Sequence, residues 1–307
     1  MIKQFFTSIN NATKLHFTEG VKYMVISTLC FTVMQGLIKF LPQDRIPTIE
    51  QTFFRSFITA IFCVFFMLKN RIPFEVKNVK MILIRSIVGS ISMFAFFYVL
   101  PRMPLGSSVT IKYLSPVFTA LFAGAMLNEK IKPAQWVYIL MAFIGITFLK
   151  GFDDRIALMD LFIALISAVT AGLLYIILRQ IGNDDHPYTV VFYFMFIASL
   201  ISAVLMIPYW VTPSLEDSWV FLGVGFFGFI AQIYMTKAFQ EKEDANYLAQ
   251  FKYLEAVFAI IIGYLWFGET YTFLSFLGIV LIFISLILTI RLKLKGKNIT
   301  KWKNGIN

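Results

Sequence analysis

Lys112, Lys252 and Glu255 stand inside apolar runs that carry almost no other charge, so they have the most chemistry to offer. Lys112 opens the phrase KYLSPVFTALFAGAMLNE, and Lys252 opens KYLEAVFAIIIGYLWFGE 140 residues later. The phrases share six identities: Lys112/Lys252, Tyr113/Tyr253, Leu114/Leu254, Val117/Val257, Phe118/Phe258 and Glu129/Glu269. An ammonium held in apolar surroundings attracts a carboxylate or another anionic group. Glu255, three residues after Lys252, can pair with it on one helix face. In the first run Ser108, Lys112, Ser115 and Thr119 form a helical stripe suited to lining a cavity, and Ser115 occupies the position of Glu255. The alternatives are lysines that extend along their methylene stems to an interface, or pairs that only hold helices together.

The same shift aligns Gln35 with Tyr175 and Ser92 with Gln232, all in the middle of apolar runs. A buried amide needs a partner, either a second helix or a bound molecule. Tyr113 and Tyr253, beside the lysines, can stack on a planar ligand or pack in the core. Arg55 and Arg85 lie four to five residues inside their runs, where snorkelling is expected and substrate contact is the alternative. Glu129 and Glu269 fall at run ends and read as caps or partners of loop cations. His16 and His186 lie in polar segments, and Cys30 and Cys63 lack metal or redox spacing. No metal site, cofactor or convergent catalytic set is expected, and hence no enzyme.

The elements that must position these residues follow from composition. The chain has 307 residues, 59% of them hydrophobic and 14% charged, with a mean hydropathy of +0.77. A soluble domain is nearer half apolar and a quarter charged, so the class is a polytopic, all-α membrane protein. Ten apolar runs are long enough to span, at roughly 21–41, 51–68, 80–100, 105–127, 133–149, 156–178, 188–208, 217–239, 245–267 and 272–291. The loops are short and proline-marked, with no room for an extramembrane domain. The expected organisation is a segment 1–20, a first repeat 21–149, a second repeat 156–291 and a basic tail 292–307. No cleavable leader pattern precedes the first run.

The net charge of +10 needs no nucleic acid to explain it. Eighteen Lys and Arg lie in the termini and alternate loops, against five on the other side, so both termini are expected in the cytoplasm. Five spans per repeat is an odd number, which inverts the second repeat relative to the first. Inverted repeats place a binding site near the bilayer midplane between the halves. Two short motifs carry no function. Gly223 to Gly228 fits G-x-G-x-x-G inside a spanning run, where its glycines permit close helix approach, and Asn298-Ile299-Thr300 is a sequon on the expected cytoplasmic side.

The chain resembles the drug/metabolite transporter superfamily, in its ten-helix EamA branch. The resemblance spans about 20–291 and rests on two inverted halves of five helices, Arg85-Ser86 followed by Phe94 to Leu100, and Leu114 to Leu121 running to Asn128-Glu129-Lys130. The second half departs from it, with Glu255-Ala256 in place of Ser115-Pro116. The resemblance implies alternating-access transport of small metabolites, often export of amino acids, with spans 1, 3, 4, 6, 8 and 9 lining the cavity and 5 and 10 peripheral. The expected partners are a small-molecule substrate, membrane lipid and, at Glu255, a coupling proton. The expected location is the bacterial inner membrane. Two further readings are an exporter of cationic or aromatic drugs and a structural or regulatory membrane protein without transport.

Overall fold

The computed structural model describes residues 18–42, 45–103, 105–112, 114–127, 133–150, 157–241, 245–268 and scattered positions between 270 and 288. The described residues contain helices and no strand. In order these are α1 (Glu19–Phe40), α2 (Thr48–Lys69), α3 (Val79–Val99), α4 (Leu105–Lys112), α5 (Ser115–Met126), α6 (Pro133–Lys150), α7 (Leu158–Ile181), α8 (Pro187–Met206), α9 (Leu215–Gln240), α10 (Ala245–Gln250) and α11 (Tyr253–Phe267). Described positions from 273 to 288 are helical as well. Six of these helices are individually long and apolar enough to cross a membrane. The fold is that of an all-α membrane protein with ten spans in two inverted repeats of five.

Local sequence explains the helix ends. Pro42 follows α1, and Pro47 caps α2 from outside because proline has no N–H to offer the helix interior. His186 caps α8 and Pro187 occupies its first turn. Ser214 and Asp217 form a reciprocal capping box at the start of α9.

The fourth and ninth spans are not the continuous helices expected from their apolar runs. Span 4 breaks between α4 and α5, and span 9 between α10 and α11, so the repeated lysine stands at a break in both halves. In the first half Pro116, in the first turn of α5, cannot donate the backbone bond that would carry the helix on. The second half has Ala256 at the matching position and breaks without a proline. Broken spans free backbone and side chains at membrane depth, which is tolerated only where protein or a cavity receives them.

The repeats interlock. Helix α1 lies along α9, its repeat counterpart α7 lies along α3, and α2 lies along α8. The hydroxyls that join them follow the same symmetry to within one residue. Ser27 donates to the Ala231 carbonyl at 2.8 Å, while Ser167 donates to the Ser92 carbonyl at 2.9 Å. Lipid gives helices no hydrophobic reason to associate, so contact depends on small residues and close packing. At Gly172 of α7 a Cβ would lie 2.6 Å from Phe118 Cβ and 2.9 Å from the Thr119 nitrogen, so any larger residue would push α7 off the broken span. At Gly225 of α9 a Cβ would meet Ile58 of α2 at 2.3 Å. The outward faces carry large exposed apolar side chains such as Phe57, Phe65, Ile87, Phe162 and Leu200, as lipid contact requires. Span 5, here α6, packs on α4. Ser285 of span 10 donates to the Tyr138 carbonyl of α6 at 2.6 Å, which joins the two peripheral spans.

Candidate functional site: a cationic chamber between the repeats

The interlocked helices enclose a cavity of about 50 Å³. Its polar wall consists of Arg55, Ser92, Lys112, Tyr175, Gln232 and Lys252; phenylalanines and methionines, Phe31, Phe96, Phe97, Phe194, Met34, Met93 and Met235 among them, supply most of the rest. The two lysines therefore meet across the repeat boundary. Neither extends to an interface: Lys252 is buried and Lys112 half-buried, each opening onto the same small space.

The two lysines have different surroundings. Lys252 forms an ion pair with Glu255, and Gln35 of α1 donates to the other oxygen of that carboxylate at 2.6 Å. Glu255 stands in the first turn of α11, where the helix N-terminus favours negative charge. Lys112 has no carboxylate in contact among the described residues; its Nζ lies 3.7 Å from the centroid of the Phe96 ring. Such a contact offsets only part of the cost of burying an ammonium.

Arg55 and Arg85 do not snorkel. They are 2% and 0% exposed, so the expectation that they reach an interface is corrected. Close packing holds them inward. The Arg85 guanidinium lies 3.8 Å from the Phe194 centroid and donates to Gln232 Oε1 at 3.4 Å, while its Nε and Nη1 have no partner. Arg55 donates to the thioether sulfurs of Met34, at 3.2 Å, and Met93, and lies 5.1 Å from the Phe97 centroid.

Of the residues singled out from sequence, Ser92, Lys112, Tyr175, Gln232 and Lys252 reach the cavity wall. Gln35, Arg85, Ser115 and Glu255 are buried just behind it. The Ser92 hydroxyl is engaged with the Ser167 carbonyl at 3.0 Å, and Tyr175 stacks on Phe239 with centroids 4.6 Å apart. Within the Ser108 to Thr119 stripe only Lys112 lines the cavity. Thr119 instead donates to the Ser115 carbonyl, at 2.7 Å, and to the Gly172 carbonyl, at 3.5 Å, which fastens α5 to α7. Tyr113, Glu129 and Glu269 lie outside the described residues, as does the basic tail; Tyr253 opens α11, but its side chain is not described.

Sequence reasoning kept Arg55 out of the candidate set, and missed the aromatic and methionine wall. Spans 2 and 7 were not expected at the cavity, yet α2 contributes Arg55 and α8 contributes Phe194. One available signal was Phe31, one helical turn before Gln35 on the same face of α1.

A polar chamber between interlocked repeats, met by two broken helices whose ends point charged side chains into it, defines a secondary membrane transporter. The EamA-like transporter family model matches residues 18–150 and again 158–291, and the chain belongs to that family. It is 29% identical over 277 residues to the pseudopaline exporter CntI of Pseudomonas aeruginosa strain UCBPP-PA14, covering 90% of this chain and 97% of that protein. It is 25% identical to the S-adenosylmethionine uptake transporter of Rickettsia prowazekii, over 85% of this chain and 88% of that one. Human solute carrier family 35 member G1 is 27% identical over 82% of this chain and 73% of its own length. A solved crystal structure matches with a TM-score of 0.69 at 17% identity, covering 88% of this chain and 94% of the other, which supports the fold. The protein is thus a multi-pass membrane transporter of small metabolites.

Proposed function

We propose that the protein exports small anionic or zwitterionic metabolites, amino acids or related compounds, by alternating access through the central chamber. One observation carries this reading: Arg55, Lys112 and Lys252 line the cavity, Arg85 stands behind its wall residue Gln232, and Glu255 is the sole carboxylate among its described neighbours. Buried charge is costly unless paired, so a chamber of this sign favours an anion and disfavours a cation. Gln232, Tyr175 and Ser92 then offer hydrogen-bonding groups from the wall. The basic bias of alternate loops supports cytoplasmic termini, and the likeness to bacterial relatives supports a bacterial inner membrane location. Export rather than uptake rests on the likeness to a relative named as an exporter, although another relative is named as an uptake transporter.

We assign the coupling proton to Glu255, the carboxylate paired with Lys252 at the chamber. Purified protein in liposomes should move radiolabelled amino or organic acids, and Lys112→Ala and Lys252→Ala should each lose most of that flux. Wild-type rates in both variants would remove the lysines from the mechanism. Transport of a cationic dye in preference to any acid would overturn the substrate class.

A further inference from the structure

We propose that Arg55 and Arg85 form a second anion subsite of the chamber, distinct from the lysine end, so that the substrate carries at least two acidic groups. The proposal deepens the anion reading above and rests on it. Lys252 already has a carboxylate in Glu255, which leaves Arg55 and Arg85 without an acid among the described residues, while Lys112 feels Glu255 only across space, with no carboxylate in contact. A lysine can lose its proton when buried, but an arginine effectively cannot, so the two guanidinium charges persist. Their present partners are poor substitutes for an anion. Thioether sulfur is a weak acceptor, yet it is what Arg55 donates to, from Met34 and Met93. Arg85 keeps Nε and Nη1 unpartnered at 0% exposure, with only Gln232 and the Phe194 face against it. Buried donors of this kind are nearly always satisfied in a working state.

The two ends share one space. Arg55 and Lys112 both line the cavity and rest on consecutive rings of α3, Phe97 and Phe96, whose centroids are 6.3 Å apart. Gln232 belongs to the wall and is held by Arg85, so a ligand oxygen that displaces it from the guanidinium frees an amide for a second bond. A single carboxylate can satisfy one end or the other. A molecule with two acidic groups satisfies both.

The test uses full-length protein in liposomes and a matched series of propionate, succinate and tricarballylate as competitors of any acid found to be transported. The wild type should favour the di- and triacids over propionate by roughly tenfold or more, the effect of one additional charge-assisted contact. Arg55→Met, which suits the methionine-rich wall, and Arg85→Gln should each reduce that preference to within about twofold. Arg55→Lys and Arg85→Lys should keep part of it. The wild-type preference needs no variant, so a misfolded arginine variant leaves the proposal open to refutation. Equal competition by all three acids overturns the second subsite alone. Absence of transport or competition by any acid overturns the anion reading and the subsite with it.

Discussion

The two repeats place the same lysine at the same break and stabilise it by different means. Lys252 has an acid three residues on, seated at a helix N-terminus and held by Gln35 from the other repeat. Lys112 has aromatic rings and the open cavity. The broken helices differ in cause as well, with Pro116 in one half and no proline in the other. One lysine is therefore built into the protein and the other is left available. A symmetric scaffold has become asymmetric at its centre, which a binding site for an asymmetric molecule requires.

The contrast extends to the two mouths of the bundle. Arg45, before α2, donates to Asp217 of α9 at 2.6 Å. The 140-residue shift turns Arg45 into Asp185 and Asp217 into Lys77. At the opposite mouth those residues are again in contact, with the Lys77 backbone N–H donating to Asp185 Oδ1 at 2.7 Å. The acid has changed sides, and the two contacts are not equally strong. The Asp217 carboxylate also accepts from the Ser214 N–H and hydroxyl, at 2.8 and 2.6 Å. Asp185 leaves Oδ2 buried without a partner, although its carbonyl accepts from Gln240 at 2.8 Å. The Arg45 mouth is therefore closed by an ion pair and the Lys77 mouth by hydrogen bonds, among them Thr189 to the Pro73 carbonyl and Tyr193 to the Phe74 carbonyl, each at 2.9 Å.

The largest effect should come from breaking the centre. Lys252→Met strands Glu255 as a buried, unpaired carboxylate and should cost about 3 kcal/mol, read as a lower midpoint of denaturation in detergent. If that midpoint is unchanged, the pair is not what holds the break. Lys112→Met should do the reverse: it removes a half-buried charge that has no carboxylate in contact and should raise the midpoint by roughly 1 kcal/mol while transport is lost. A fall as large as that of Lys252→Met would erase the proposed difference between the repeats.

At the mouths the expected effects are smaller. Asp217→Asn weakens the Arg45 pair and the cap together, for about 1 kcal/mol. It should also increase labelling of a Ser92→Cys reporter from the Arg45 side, in a background without Cys30 and Cys63. Asp185→Asn keeps the acceptor for the Lys77 N–H and makes the orphaned oxygen a neutral amide, so stability should stay within about 0.5 kcal/mol. Lys77→Ala should change nothing measurable, because the exposed side chain is not the donor. Increased labelling of the reporter from that side in Lys77→Ala would show that the side chain closes this mouth after all.

The amino-acid sequence determined much of this protein through local periodicity and run length. The ten spans, the repeat and the spacing of Lys252 to Glu255 follow from which residues recur and how far apart they lie on a helix. The matched pairs Gln35/Tyr175 and Ser92/Gln232 marked the interior faces in the same way, since a polar residue in the middle of a spanning run must turn away from lipid. Only the tertiary structure decided what each buried polar group meets. Gln35 reaches Glu255 across 220 positions, and Arg85 reaches Gln232 across 147, distances over which no helical period carries information. The break before α11 has no proline to announce it, and whether Arg55 points to lipid headgroups or to methionine sulfur depends on the helix beside it. Burial of a charge is settled by compensation, and compensation comes from residues that only folding brings together.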